Sequence, residues 1–220
     1  PRPALSRACP GPRPMPVSGR YTPRQRAAYD AVLAAQHASI AKCRAGVRYR
    51  EVHDTSSLVL ARFLADEGLI TCSPEAAVET GAHALFFPHG VGHLLGMDVH
   101  DLENYGDLPA YPRGASRPDQ FGTAFLRLDL PLEPGWVVTV EPGFYVVPAI
   151  LHDPVLRERF AGQVDFGRAE GWLGFGGIRI EDDIAVTHGA PENLTAAVPT
   201  DPDVIESLVG TGLSAEERLA

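Results

Sequence analysis

Three histidines and two aspartates lie within one apolar, glycine-rich stretch of the chain. Residues 86–101 read FFPHGVGHLLGMDVHD, with the histidines at His89, His93 and His100. A single histidine is more often a hydrogen-bonded structural residue than a ligand. Three within twelve residues, next to glycines that allow close backbone approach, indicate a functional site. A helical zinc motif does not fit, because glycines separate the first two histidines and no glutamate follows the first.

Two segments further along the chain carry carboxylates that could join these histidines. Glu141 ends a β-branched run in TVEPGFY, and Glu181 follows Ile-Arg-Ile in GGIRIEDD. One histidine and two glutamates from separate elements form a ligand set that suits hard, oxygen-preferring divalent metals.

Each glutamate also has an ordinary structural interpretation. Glu141 could be an exposed sheet-edge residue before the turn at Pro142, and Glu181 could form a surface ion pair with Arg179, which strand alternation puts on the same side. A buried carboxylate is costly unless it is paired or bound to a cation, so burial of either glutamate would favour the site. Arg179 would then be a charge-assisted anchor inside it.

The composition narrows the class of protein. The chain has 220 residues, 45% of them hydrophobic and 21% charged, which fits one large domain or two small ones with a shared core. Its formal net charge of −9 argues against nucleic acid as the partner. It has no run of about eighteen apolar residues, which argues against a membrane span. The sparse cysteines predict reduced thiols and a cytoplasmic location; they are Cys9, Cys43 and Cys72.

The elements that must position these residues divide into helices first and strands later. A helix is predicted from the N-cap Thr22 until Gly46, and a second at about Arg50–Glu67, with shorter helices at 72–82, 154–160 and 203–209. Strands are predicted at 136–140, 143–147 and 178–186. This order indicates an α+β architecture, with helices packed on one face of a mostly antiparallel sheet.

The two ends of the chain differ from the remainder. The first 29 residues contain no Asp or Glu. The prolines at positions 1, 3, 10, 12, 14 and 16 forbid regular structure around them. Residues 1–15 are therefore predicted to be disordered or atypical, residues 16–210 to form the domain, and residues 211–220 to be a flexible tail.

Three motifs together resemble one known family. PHGVGHLLGMDVHD, LEPGWVVTVEPGFY and GFGGIRIEDDIAVT, in this order, are similar to the metal-dependent pita-bread peptidases: prolidase, aminopeptidase P and methionine aminopeptidase. PVSGRYTPRQRAAYDAV and DPDVIESLVG resemble prolidase and aminopeptidase P most. The resemblance implies a pita-bread fold, a curved antiparallel sheet flanked by helices, with residues 16–210 as part of its catalytic domain and the fold incomplete at the N-terminus.

The resemblance also implies a metal centre. His93, Glu141 and Glu181 match three metal ligands of the family, in which two manganese ions share a hydroxide that attacks the scissile carbonyl. Glu141 matches the residue that accepts the proton, so it is a candidate catalytic residue as well.

Four further residues match positions around the substrate. His89 matches a catalytic histidine of the active-site wall, and His100 one that contacts the substrate or the tetrahedral intermediate. Arg127 matches the arginine that holds the free carboxylate of a dipeptide, a task that suits its planar fork; the alternative is a solvated strand residue. Arg179 matches a residue that binds substrate and supports the position of Glu181.

The activity implied is hydrolysis of Xaa-Pro bonds, with small peptides, foremost dipeptides, as substrates. The family's two remaining ligands are aspartates just upstream of the segment that here reads PVSGRYT, and residues 1–29 supply neither. This departure predicts a weakened metal site and leaves open an inactive chain. The alternatives are an aminopeptidase P-type enzyme, a peptide- or protein-binding module of the same fold, and a metal-free creatinase-like hydrolase. The resemblance also leaves a homodimer open.

Overall fold

The computed structural model describes residues 19–212. The chain begins with α1 (Pro23–Ile40), whose N-cap is Thr22 as predicted. The Thr22 hydroxyl accepts a hydrogen bond from the Gln25 backbone at 3.2 Å, and the Gln25 side chain accepts one from the Thr22 backbone at 2.9 Å. This reciprocal pair is a capping box, which satisfies two backbone donors that a helix start would otherwise leave unpaired.

The first helix ends earlier than the sequence predicts. It stops at Ile40 instead of near Gly46, because the following residues turn to meet a distant part of the chain. The Gly46 backbone donates to the carbonyl of Leu132 at 2.8 Å, and the Tyr49 backbone to that of Leu130 at 3.0 Å. Apolar periodicity alone cannot show where such long-range backbone pairing replaces helical hydrogen bonds.

The second helix packs closely against the first. α2 covers Tyr49–Asp66, close to the predicted range. The hydroxyls of the buried residues Ser39 and Ser56 lie 2.5 Å apart, and Ser39 also donates to the Val52 carbonyl at 3.2 Å. These small side chains allow the two helices to approach closely, and their hydroxyl groups form hydrogen bonds across the contact.

The remaining helices are short, and proline starts most of them, as its fixed φ favours. The helices predicted at 72–82, 154–160 and 203–209 are present, and two near Pro148 and Phe166 were not predicted. They are α3 (Pro74–Thr80), α4 (Pro148–Leu151), α5 (Pro154–Arg159), α6 (Phe166–Glu170) and α7 (Pro202–Leu208).

The strands form two small antiparallel sheets instead of one. Their bounds are β1 (Val137–Val140), β2 (Gly143–Tyr145), β3 (Gly177–Arg179), β4 (Asp182–Ala185) and β5 (Glu192–Asn193). One sheet has the order β1-β4-β5, and the other pairs β2 with β3. The short strand β5 was not predicted.

The predicted strand 178–186 is interrupted between β3 and β4, opposite Pro142. Val140 pairs with Asp182 and Gly143 with Arg179, so the break in both strand pairs falls at the same level. Proline has no N–H to donate to the ladder, and Pro142 only accepts a hydrogen bond, from the Ile180 backbone at 3.3 Å. Glu141 and Glu181 therefore lie at one junction between the two sheets.

The histidine-rich segment runs as an extended chain beside β1. The Thr139 backbone donates to the His93 carbonyl at 2.9 Å, and the Glu141 backbone to that of Val91 at 2.7 Å. A side chain at Gly92 would overlap the Thr139 carbonyl and the Tyr49 hydroxyl, so glycine is required for this approach. The absence of a helix here agrees with the rejection of a helical zinc motif.

A single buried core joins the helices to both sheets, and the predicted α+β class with antiparallel pairing is confirmed.

No helix among residues 19–212 is long and apolar enough to cross a membrane. Cys43 and Cys72 are free thiols, as expected. The prediction for residues 1–15 and most of the predicted tail at 211–220 lie outside the described residues. The largest fully buried aromatic side chains are Tyr29, Tyr49, Phe86, Phe87, Phe144 and Phe160.

Candidate active site

Glu141 lies at the floor of a cleft and contacts two of the other predicted residues. Its Oε1 is 3.4 Å from Nε2 of His93, and its Oε2 is 3.0 Å from Nη1 of Arg179. Only 8% of the Glu141 surface is exposed. The interpretation as an exposed sheet-edge residue is therefore wrong, and the buried carboxylate is stabilised by the arginine.

A threonine holds the histidine and the glutamate in register. The Thr139 hydroxyl accepts a hydrogen bond from the His93 backbone at 3.0 Å and donates one to Glu141 Oε1 at 3.1 Å. Thr139 was not predicted as a site residue. The signal was available, because the period of a strand puts residues 139 and 141 on the same face.

His93 turns an unprotonated ring nitrogen toward Glu141. Its Nδ1 lies 2.8 Å from the Leu94 carbonyl, which can only accept, so Nδ1 carries the proton. Burial, and to a lesser degree the charges of neighbouring residues, lowers the pKa of His93 to about 4, while burial raises the pKa of Glu141. A nitrogen lone pair opposite a carboxylate oxygen is an arrangement that can hold a proton or a cation between them.

His89 belongs to a second group on the cleft wall. Its Nδ1 is 2.7 Å from the Gly90 carbonyl, and its Nε2 accepts from Nη2 of Arg179 at 3.0 Å. The hydroxyl of Tyr145 is 3.0 Å from the same Nε2 and accepts from Arg179 Nε at 2.7 Å. Burial, followed by the charge of Arg179, lowers the pKa of His89 to about 4, so the ring is neutral at pH 7. Tyr145 is a site residue that sequence reasoning missed.

Glu181 is half-buried at the sheet junction, next to the fully buried Ile180. Burial, followed by the charge of Glu141, raises the pKa of Glu181 to about 7, and Arg179 opposes this rise. The two glutamates therefore influence each other electrostatically. Arg179, predicted to support Glu181, makes its direct ion pair with Glu141.

A buried glutamine links the two strands next to the glutamates. Nε2 of Gln36, on α1, donates to the Val140 carbonyl at 2.7 Å and to Oδ2 of Asp182 at 2.9 Å. Val140 directly precedes Glu141, and Asp182 directly follows Glu181. Gln36 was missed, although a polar residue on the apolar face of a predicted helix is itself a signal.

Beside the cleft, Glu103 bridges two predicted residues. Its Oε1 forms an ion pair with Nη1 of Arg127, and its Oε2 lies 3.3 Å from Nδ1 of His100. The rings of His100 and His93 meet edge to face, with centroids 4.4 Å apart. Arg127 is thus a paired cleft residue and does not lie in a strand. Glu103 was not predicted, and a loop contact of this kind leaves no periodic signal.

The cleft has a volume of about 460 Å³. Both apolar and polar residues line it, and six of the seven predicted residues are among them, all but Glu181. The apolar lining includes Pro88, Phe121, Phe125 and Ile150; the polar lining is His89, His93, His100, Arg127, Glu141 and Arg179.

The described residues do not assemble a metal centre by themselves. Among residues 19–212, no group of three or more His, Cys, Asp or Glu side chains is placed to hold one ion. His93 and Glu141 adjoin, but the second oxygen of Glu141 is taken by Arg179. The donor types suit a divalent metal, whereas their number and placement do not complete a site.

A comparison with known families identifies the class of protein. The model of metallopeptidase family M24 matches residues 13–188. The chain belongs to this family, and membership implies a divalent metal at the level of the family.

Curated relatives include enzymes named for Xaa-Pro bonds. The chain is 47% identical over 175 residues to an Xaa-Pro dipeptidase from Xanthomonas campestris, covering 79% of this chain and 38% of that protein. It is 42% identical over 197 residues to a probable Xaa-Pro aminopeptidase from Paracoccidioides brasiliensis, covering 89% of this chain and 40% of that protein. The chain thus spans about two-fifths of the length of these relatives.

Solved structures confirm the expected pita-bread fold. Proline aminopeptidase P II from Yersinia pestis superposes with a TM-score of 0.65 at 37% identity, covering 89% of this chain and 37% of that one. A zinc-substituted aminopeptidase P from Escherichia coli, in complex with product, gives 0.64 at 34% identity, with coverages of 89% and 36%.

Proposed function

We propose that residues 16–210 form part of the catalytic domain of a peptidase that hydrolyses Xaa-Pro bonds, with dipeptides as the first candidate substrates. The observation that carries this proposal is the buried pair of His93 and Glu141 in the cleft, with the half-exposed Arg179 in an ion pair with Glu141. A carboxylate with a histidine lone pair at one oxygen and a guanidinium at the other can activate water and stabilise the charge that develops on a carbonyl oxygen.

Each residue has a proposed task. Glu141 accepts the proton of the attacking water, because burial raises the pKa of its carboxyl and so makes it a better base. His100 stabilises the developing oxyanion, His89 assists catalysis by holding Arg179 through its Nε2, and Arg127 and Arg179 orient the substrate. The apolar residues of the cleft lining suit a proline ring, which has no N–H to satisfy.

The proposed metal ion is manganese, contacted from this chain by His93, Glu141 and Glu181. When bound, a divalent ion would polarise the carbonyl and lower the pKa of a bound water. Because these three side chains are not assembled around one point, they predict at most weak binding of one ion, in contrast to the family's two. Proposed partners are small peptides, with no nucleic acid or membrane; a cytoplasmic location and a homodimer are the remaining proposals.

The proposal is tested by hydrolysis of Ala-Pro and of the tripeptide Ala-Pro-Gly with and without added Mn²⁺. We expect metal-dependent release of alanine from Ala-Pro that Glu141→Gln lowers by at least about 100-fold, as loss of a general base does. Cleavage of neither peptide, or cleavage that Glu141→Gln leaves unchanged, would contradict it.

A second candidate is an aminopeptidase P-type enzyme that prefers longer peptides. It is favoured by the ion pair of Arg127 with Glu103, which occupies the arginine expected to hold a dipeptide carboxylate. Faster cleavage of Ala-Pro-Gly than of Ala-Pro would support this candidate over the first.

A further inference from the structure

A carboxylate of the chain itself neutralises one end of the cleft. Glu103 presents one oxygen to Nη1 of Arg127 and the other to Nδ1 of His100, so it engages both cleft residues at once. Arg127 and His100 line the cleft, whereas Glu103 lies beside it, in a small neighbouring cavity that the same two residues share. The glutamate therefore contacts these two residues from outside the cleft.

The loop that carries Glu103 has a strained backbone. Among the described residues, Leu102 is the only non-glycine residue with a positive φ, at 60°. A left-handed residue of this kind costs about 1 kcal/mol or more and persists where its surroundings impose it. Residues 103–105 form a single helical turn, so this conformation presents the Glu103 carboxylate to the cleft residues.

The loop is anchored on both sides of this turn. The Asp101 backbone donates to the Leu94 carbonyl at 3.1 Å, and Asp107 forms an ion pair with Arg117 at 2.5 Å. The position of Glu103 is therefore built into the fold, and its charge can be removed without releasing the loop.

We propose that Glu103 is a specificity-determining residue, which makes this end of the cleft disfavour ligands with a free carboxylate. A ligand carboxylate at Arg127 would meet a guanidinium whose charge Glu103 already balances, with a like charge close behind it. Two unit charges about 7 Å apart repel by about 2 kcal/mol at an effective dielectric constant of about 20. A peptide or amide group at the same place carries no charge and escapes this repulsion.

The inference refines the substrate class of the proposed function and rests on it only for the identity of the substrate. Glu103 restrains dipeptide binding without abolishing it. The effect of Glu103 concerns the charge of the ligand at one end of the cleft. Ligand affinity alone therefore measures it, without any need for turnover.

The experiment compares two ligands that differ only at the carboxyl group, L-proline and L-prolinamide. Their dissociation constants for the full chain are measured by NMR titration at pH 7.5. Because the pH is the same for every variant, the protonation state of each ligand's ring nitrogen does not differ between variants. Glu103→Gln keeps the size of the side chain and an oxygen for Arg127 but removes the charge. Glu133→Gln, at an exposed site before β1, is the matched control.

We expect Glu103→Gln to shift the ratio of the two dissociation constants toward proline by about 5- to 30-fold, which corresponds to about 1–2 kcal/mol, while Glu133→Gln leaves it unchanged. Equal changes for both ligands would assign Glu103 a structural role, and weaker binding of proline alone would assign it to the carboxylate clamp. Either result overturns the inference.

Ala-Pro hydrolysis of the same variants separates the two proposals. A shifted ratio in a chain that cleaves no peptide would leave the specificity role standing and refute the proposed function. Cleavage with an unshifted ratio would do the reverse. If neither ligand binds measurably to the chain or to Glu103→Gln, the inference is refuted.

Discussion

At the residue scale, the site depends on how a neutral histidine and a buried glutamate are kept face to face. Without a shared proton or cation, a lone pair and a carboxylate oxygen repel one another. His93 and Glu141 stay 3.4 Å apart because the Thr139 hydroxyl binds the backbone of one and the side chain of the other. Arg179 balances the charge from the opposite side.

Replacing Thr139 by valine tests this restraint. Thr139→Val preserves the shape of the side chain but leaves the buried His93 N–H and one oxygen of Glu141 without their partner. We expect the free energy of unfolding, measured in urea, to fall by about 1–3 kcal/mol. Thr139→Ser retains the hydroxyl and should lose less than half as much; equal losses in both variants would refute the restraint.

The sequence predicted most of these residues because their chemical types are rare in apolar segments. His89, His93 and Glu141 stood out within glycine-rich or β-branched runs, and the structure brings all three to one cleft. Glu103 and Gln36 were not predicted. Gln36 contacts residues more than 100 positions away in the sequence, and Glu103 reaches its partners through the conformation of a loop. Such contacts depend on tertiary packing, which periodicity does not encode.

At the element scale, proline and long-range pairing decided where the prediction failed. The strand predicted at 178–186 is broken because Pro142 on the opposite strand cannot donate to the ladder. The first helix ends at Ile40 because residues 46–49 pair with residues 130–132. Start signals such as the Thr22 cap are local and were read correctly, whereas these end points were set from elsewhere in the chain.

Helix α2 also carries a buried histidine that makes stability depend on pH. Burial, followed by the proximity of His83, lowers the pKa of His53 to about 3, and no hydrogen-bond partner is present for its Nδ1 among the described residues. An unfolded histidine titrates near 6.5, so between pH 6.5 and 3 the unfolded state binds the extra proton. The stability that the neutral ring contributes is complete above pH 6.5 and is lost as the pH falls.

We expect the free energy of unfolding to decrease from pH 7.5 to pH 5 by about 2 kcal/mol from His53 alone. Urea unfolding at several pH values measures this slope. His53→Phe, whose side chain can still pack against Phe87, should remove the contribution of about one proton from the slope of the unfolding free energy against pH. This holds even if the variant changes the stability at pH 7.5. An unaltered slope would show that His53 does not titrate in this way.

At the scale of the whole molecule, the chain combines a well-defined cleft with an incomplete set of metal ligands. It belongs to a metallopeptidase family, yet it spans about two-fifths of the length of relatives such as the Xanthomonas dipeptidase. No three ligands among residues 19–212 are assembled around one point. The buried His93 and Glu141 and the half-buried Glu181 nevertheless retain the chemistry that a cation would satisfy.

Calorimetric titration of the full chain with Mn²⁺ tests this account most directly. We expect one ion per chain, bound weakly, with binding lost in both His93→Ala and Glu141→Gln and retained in a control at the exposed His188, His188→Ala. Tight binding of two ions per chain, or binding that survives the loss of His93, would contradict the account.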